Sequence, residues 1–259
     1  MRCPKCADSY LTEQKEGILC TSCNRAYPRE NGILDMADDS SGEVITPFQR
    51  LMQTPLIASI YEKLWRRIGY FLASSRSFSK EMQTVLRLGT GKRNGLVLDL
   101  ACGTGIFTRP ISHHSEGIVV GLDLSRPMLK QADRMIRKSS IGNIVLLRAS
   151  VFSMPFSDNV FNYINCCGAL HLFDDPGSAL KEIERILMPG GYLSVQTTIK
   201  PAHSAGIAYF LDRCIRFGFF NETDLQGILK DRNFRIIESM RNRISFTFLA
   251  QKVEAIRGS

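Results

Sequence analysis

Short apolar runs alternate with amphipathic stretches through most of this chain. Leu96, Val97, Leu98 and Leu100 form an apolar run broken only by Asp99, the pattern of a strand buried on both faces. Residues 117–123 repeat that pattern, and 144–147, 160–166 and 192–198 predict three more strands. Between them Ser125 caps a predicted helix reaching about Ser139, with Met128, Leu129, Ala132, Met135 and Ile136 inward. Residues 176–187 predict another, with Asp174 or Asp175 as cap, before the turn Pro189-Gly190-Gly191. Strands alternating with helices imply a parallel, doubly wound α/β sheet. The tail differs: a helix over 222–231 precedes two strands, 234–240 and 243–252, that read as an antiparallel hairpin.

Ahead of this core the pattern changes. Residues 37–42 are small, acidic and polar, and read as a linker. Thr46-Pro47 and Thr54-Pro55 each offer an N-cap followed by proline, predicting helices over 46–53 and 54–72. Tyr61, Leu64, Trp65, Ile68 and Phe71 fall at helical spacing, as a face packed on the core or as a lid to which Tyr61, Trp65 or Tyr70 contributes. Residues 200–220 are rich in Phe, Tyr, Ile and Leu and suit either a pocket cap or core.

Two features carry chemistry. The first strand runs into Gly103-Thr104-Gly105, a turn whose backbone N–H groups can face a ligand without an obstructing Cβ. Asp123 follows Gly103 by 20 residues, at the end of the second strand, where a carboxylate accepts hydrogen bonds from a ribose diol. A dinucleotide fingerprint requires a third glycine where Thr108 stands, leaves Asp99 unexplained and does not account for the closing antiparallel pair. The second feature is the pair of knuckles Cys3-Pro4-Lys5-Cys6 and Cys20-Thr21-Ser22-Cys23. In a reducing compartment this spacing reads as a four-cysteine zinc site, with two disulfides as the alternative. Four thiolate ligands leave no open position, so such a zinc is structural.

The chain has 259 residues and net charge +8, with no apolar run long enough for a bilayer and no apolar leader. A cytoplasmic protein with reduced thiols is expected. Residues 61–95 carry +6 and 126–148 carry +5, whereas 1–40 carry −2. This basic surface suits an anionic partner, RNA included.

The residues resemble a known family. Residues 97–105, Val-Leu-Asp-Leu-Ala-Cys-Gly-Thr-Gly, look like motif I of the class I S-adenosylmethionine (SAM)-dependent methyltransferases. Residues 121–125 with Met128-Leu129, Met154-Pro155-Phe156 with Val160-Phe161, Leu170-His171 and residues 185–191 resemble its later motifs. The resemblance covers about residues 80–252 and is to type 11-like members. It implies a Rossmann-like seven-stranded sheet of order 3-2-1-4-5-7-6, with strand 7 antiparallel. It also implies a cofactor site of Asp99, Ala101, Cys102, Gly103, Gly105, Asp123, Leu124, Met128, Ser150, Val151 and Cys166. In it Asp99 and the turn lie against the methionine moiety and Asp123 on the ribose. Ser150 stands where the family usually has an acidic contact to the adenine amino group, with the Val151 N–H beside it. The whole chain is similar to a narrower group with a zinc-ribbon leader, marked here by Phe48, Pro55, Tyr61-Glu62 and Trp65-Arg66.

The expected division is a zinc ribbon over 1–36, a linker and helical lid over 37–79, and the methyltransferase domain over 80–259. A sulfonium methyl group is already electrophilic, so the protein must align a nucleophile and exclude water. An O–H or acidic C–H nucleophile needs a base, and His171, just past the fourth strand, is the candidate. Cys166 and Cys167 read as small apolar residues lining the crevice. The expected acceptor is a hydrophobic small molecule. The alternatives are ribosomal RNA docked through the ribbon and a cofactor-binding protein that transfers nothing.

Overall fold

The computed structural model describes residues 1–37, 54, 70–71, 74–200 and 218–253. Tyr61 and Trp65, most of the two predicted lid helices and the stretch 201–217 lie outside them. Four short strands come first: β1 (Leu11–Gln14), β2 (Gly17–Cys20), β3 (Ala26–Glu30) and β4 (Ile33–Asp35). Then follow α1 (Phe78–Leu88), β5 (Val97–Leu100), α2 (Thr108–His113), β6 (Val119–Asp123), α3 (Arg126–Lys138) and β7 (Ile144–Arg148). The chain continues through β8 (Phe161–Cys167), α4 (Pro176–Ile186), β9 (Leu187–Thr198), α5 (Glu222–Asp231), β10 (Phe234–Asn242) and β11 (Ser245–Lys252).

All the strands belong to one sheet, ordered β1-β2-β3-β4-β7-β6-β5-β8-β9-β11-β10. From β7 to β10 this is 3-2-1-4-5-7-6 counted within the larger part, and β11 runs antiparallel to both neighbours. The sheet has eleven strands rather than seven because the cysteine-rich leader continues it. β4 pairs in parallel with β7 through Ile33↔Leu146, Leu34↔Leu147 and Asp35↔Arg148. The core is continuous as well: Cys3, Tyr27 and Met36 share one apolar cluster with Leu98, Val151, Phe156 and Phe248. The sheet therefore crosses the boundary expected near residue 36.

The seam also changes the charge picture. Asp35 bridges Arg126 at 2.6 Å and Arg148 at 3.2 Å, and Glu30 lies 3.7 Å from Arg126. The acidic leader thus faces, and in part neutralises, the basic stretch 126–148. One turn is also revised. Residues 189–191 are carried inside β9, where three residues of β8 (Phe161 to Tyr163) face six of β9 (Leu187 to Tyr192), with Gly190 at φ +76°. The extra residues bulge out of the ladder instead of preceding it.

Side-chain caps open α3, α4 and α5, at Ser125, Asp175 and Asn221. Ser125 Oγ accepts from the Met128 N–H at 3.4 Å and a proline sits in the first turn of α3. Ser125→Ala is expected to cost about 1 kcal/mol, read as a lower urea midpoint at unchanged slope.

Candidate cofactor site and cysteine cluster

β5 ends in a turn that needs left-handed backbone at Ala101 (φ +53°), Gly103 (+56°) and Gly105 (+75°). A Cβ on Gly103 would meet nothing within 4 Å, so the peptide there borders open space. Gly105 instead packs towards Ala132 of α3, to which a Cβ would come within 3.4 Å. Asp123, at the end of β6, fixes the turn: Oδ2 accepts from the Gly103 N–H and Oδ1 from the Ser125 N–H, both at 2.8 Å. Burial pushes this carboxyl above the ordinary range, against the opposing pull of those two N–H donors.

Asp99 works from below. It is 2% exposed, and its oxygens accept from Thr108 Oγ1 at 2.5 Å and Asn165 Nδ2 at 2.7 Å. The carboxylate ties β5 to α2 and β8 and holds the start of the turn in place. Thr108, which occupies the place of a dinucleotide-binding glycine, supplies one of those bonds.

The other predicted residues divide by what they touch. The Cys102 thiol is buried beside the turn: Sγ donates to the Gly103 carbonyl at 3.8 Å and would lie 3.2 Å from a Cβ on Gly121, within the cluster of Ile33, Leu129 and Leu146. Its N–H donates to the Leu122 carbonyl at 3.0 Å. The Leu124 carbonyl accepts from Arg148 Nε at 2.9 Å, and Met128 is buried in the first turn of α3. Ser150 Oγ caps the 3-10 turn Val151–Ser153 by accepting from the Phe152 N–H at 3.1 Å, and Val151 is buried. Cys166 is fully buried and its thiol is pushed up to about 12, which suits packing and not nucleophilic attack. His171 lies in the 3-10 turn Leu170–Leu172 beyond β8, is 7% exposed, and has Nδ1 3.4 Å from Thr197 Oγ1 on β9.

Thr104, inside the turn that the resemblance sets against the methionine moiety, buries an Oγ1 that has no hydrogen-bond partner among the described residues. The open space at Gly103, beside the Asp123 carboxylate, fits a polar ligand.

At the other end of the sheet the sulfurs of Cys3, Cys6, Cys20 and Cys23 all lie within 4.8 Å of one another. Cys3 to Cys23 is 3.7 Å and Cys6 to Cys20 is 3.6 Å. A tetrahedron with metal–sulfur bonds of about 2.3 Å has edges of about 3.8 Å. All four are free thiols, so the disulfide alternative is not what the structure holds. The Tyr27 hydroxyl lies 3.0 Å from Cys3 Sγ, placed to donate to a thiolate.

A doubly wound sheet whose first strand feeds a glycine turn locked by the second strand's carboxylate, closed by an antiparallel strand pair, defines a nucleoside-cofactor enzyme of the Rossmann-like class. Residues 98–195 match the family described as "Methyltransferase domain". An uncharacterized chloroplastic methyltransferase of Arabidopsis thaliana is 27% identical over 257 residues, 89% of this chain and 72% of that protein. A demethylmenaquinone methyltransferase of Lactiplantibacillus plantarum is 34% identical over 148 residues, covering 56% of this chain and 60% of that enzyme. The solved structure of a SAM-dependent methyltransferase from Aquifex aeolicus superposes with a TM-score of 0.60 at 19% identity, covering 77% of this chain and 99% of that one. The chain thus carries a methyltransferase domain, and its fold is that of SAM-dependent methyltransferases. Among the described residues no helix is long and apolar enough to cross a membrane.

Proposed function

We propose that this methyltransferase alkylates a hydrophobic small molecule, and that Cys3, Cys6, Cys20 and Cys23 hold a structural zinc. The Gly103–Asp123 lock carries the cofactor reading, since it leaves two carboxylate lone-pair positions for a ribose diol. Bound SAM supplies an activated methyl group. The chain's part is to orient the two reactants in line and keep water out. Relatives named for demethylmenaquinone point to a quinone-like, largely apolar acceptor with an acidic C–H or O–H. The internal pairing of Arg126 and Arg148 with Asp35 supports this choice over RNA, because those guanidiniums already have anionic partners. The reading places the protein in the cytoplasm, where the cluster's thiols stay reduced.

His171 is the proposed base, sited past the carboxyl end of β8 where open α/β sheets bind their ligands. His171→Ala should lower kcat by about a hundredfold or more with S-adenosylhomocysteine affinity unchanged; equal turnover in variant and parent would remove His171 from the mechanism. The acceptor is found by incubating the full chain with methyl-labelled SAM and fractionated extracts. Label in the apolar small-molecule fraction supports the proposal. Label in ribosomal RNA would replace it, and tight cofactor binding without transfer to any fraction would mark a non-catalytic protein.

A further inference from the structure

Asp35 belongs to the leader and lies outside the matched domain, yet it reaches the cofactor site in two steps. Both its oxygens accept from Arg148 Nη1, at 3.2 and 3.3 Å, and Oδ2 is 2.6 Å from Arg126 Nη2. Arg148 Nε donates to the Leu124 carbonyl at 2.9 Å, the peptide directly after Asp123. The main chain makes a second connection: the Met36 N–H donates to the Arg148 carbonyl at 2.8 Å, immediately before the loop of Ser150 and Val151. From the leader's far end, the Arg2 N–H donates to the Pro155 carbonyl at 3.1 Å, at the end of that same loop. Both loops assigned to the nucleoside half are therefore pinned to the leader that carries the cysteine cluster. Asp35 itself is 9% exposed, so its ion pairs are partly shielded from water.

We propose that Asp35 is a positioning residue for the nucleoside half of the cofactor, acting through Arg148, so that the leader's metal centre and the cofactor stabilise each other. The inference rests on the zinc and cofactor readings above. Linkage makes the effect reciprocal: whatever metal binding adds to cofactor affinity, cofactor adds to metal affinity.

The test titrates S-adenosylhomocysteine and 5′-methylthioadenosine into the zinc-loaded full chain by calorimetry. The second ligand keeps the nucleoside and lacks the amino-acid half. Arg148→Lys retains the charge facing Asp35 and loses the planar fork that also reaches Leu124. Arg148→Lys and Asp35→Asn should each weaken both ligands about tenfold, and the double variant should be no weaker than the worse single. Glu13→Ala, which removes an exposed pair with Arg29 on the leader, should leave both affinities within twofold. Saturating S-adenosylhomocysteine should slow zinc extraction by a chelator. Arg148→Lys serves where Asp35→Asn fails to fold. The proposal is overturned if these variants bind both ligands within twofold of the parent, if their effects multiply, or if only S-adenosylhomocysteine weakens. A zinc-loaded parent that binds neither ligand overturns the cofactor reading, and this inference with it.

Discussion

Asp123→Ala should lose about a hundredfold in S-adenosylhomocysteine affinity. The carboxylate accepts two backbone N–H bonds, which leaves about two of its four lone-pair positions for ligand hydroxyls. Each hydrogen bond to a charged acceptor is worth about 1.5–3 kcal/mol, so losing two ligand bonds removes about 3 kcal/mol or more. Alanine also frees the Gly103 N–H, so the turn itself loosens. Asparagine should not rescue, because its NH₂ group would point a donor at one of the two N–H groups. Affinity should also depend on pH. Burial raises this carboxyl's pKa, and the ionised form is the acceptor, so binding should strengthen as pH rises through the raised value. The unliganded fold responds with the opposite sign. The folded state holds this proton more tightly than the unfolded chain, so stability from this group is greatest below the ordinary carboxylate range. It declines as pH rises towards the raised value. Calorimetry across the acid limb checks both effects; a parent whose affinity is flat with pH, or an alanine variant that binds like the parent, would contradict this role.

Removing the metal should have the largest effect on stability. Residues 1–37 bury few large side chains, Ile18, Tyr27, Leu34 and Met36 among them. A segment this short usually needs a metal or disulfides to stay folded, and zinc contributes about 10–16 kcal/mol of apparent binding energy in comparable peptides. Metal analysis should find one zinc per chain. Cys20→Ser, at a fully buried position whose N–H is tied to the Arg25 carbonyl at 2.9 Å, should lose it. Hydrogen exchange should then show β1–β3 unprotected while β5 and β8 stay closed. Stoichiometric absence of zinc from a chain whose β2 amides are protected would refute the assignment.

The sequence was most informative where one local signal decided the structure. Ser125 before an amphipathic run placed α3. The contact of Asp123 with the glycine turn was legible because the spacing sets a carboxylate at the end of the second strand, beside that turn. β1 and β3 were not legible: Leu-Thr-Glu-Gln and Ala-Tyr-Pro-Arg-Glu are mostly exposed, so no buried face imposes alternation. The left-handed backbone of Ala101 was not legible either, since nothing in an alanine announces it. The Asp35–Arg148 pair joins positions 113 residues apart, and only the parallel pairing of β4 with β7 brings them together.

That pairing has a consequence for how the protein behaves in a crowded solution. β7 reads Ile-Val-Leu-Leu-Arg, a strand with no charge before its last residue. Left at a sheet margin, such a strand is a template on which another chain can add. β4 occupies the margin, and the sheet now ends in the four-residue, largely polar β1. At the opposite margin β10 carries Arg235, Glu238 and Arg241 and breaks register between Ile236 and Glu238, both features that discourage strand addition. The leader thus covers an edge on which another chain could add, and trimming it would trade a blunt edge for an adhesive one.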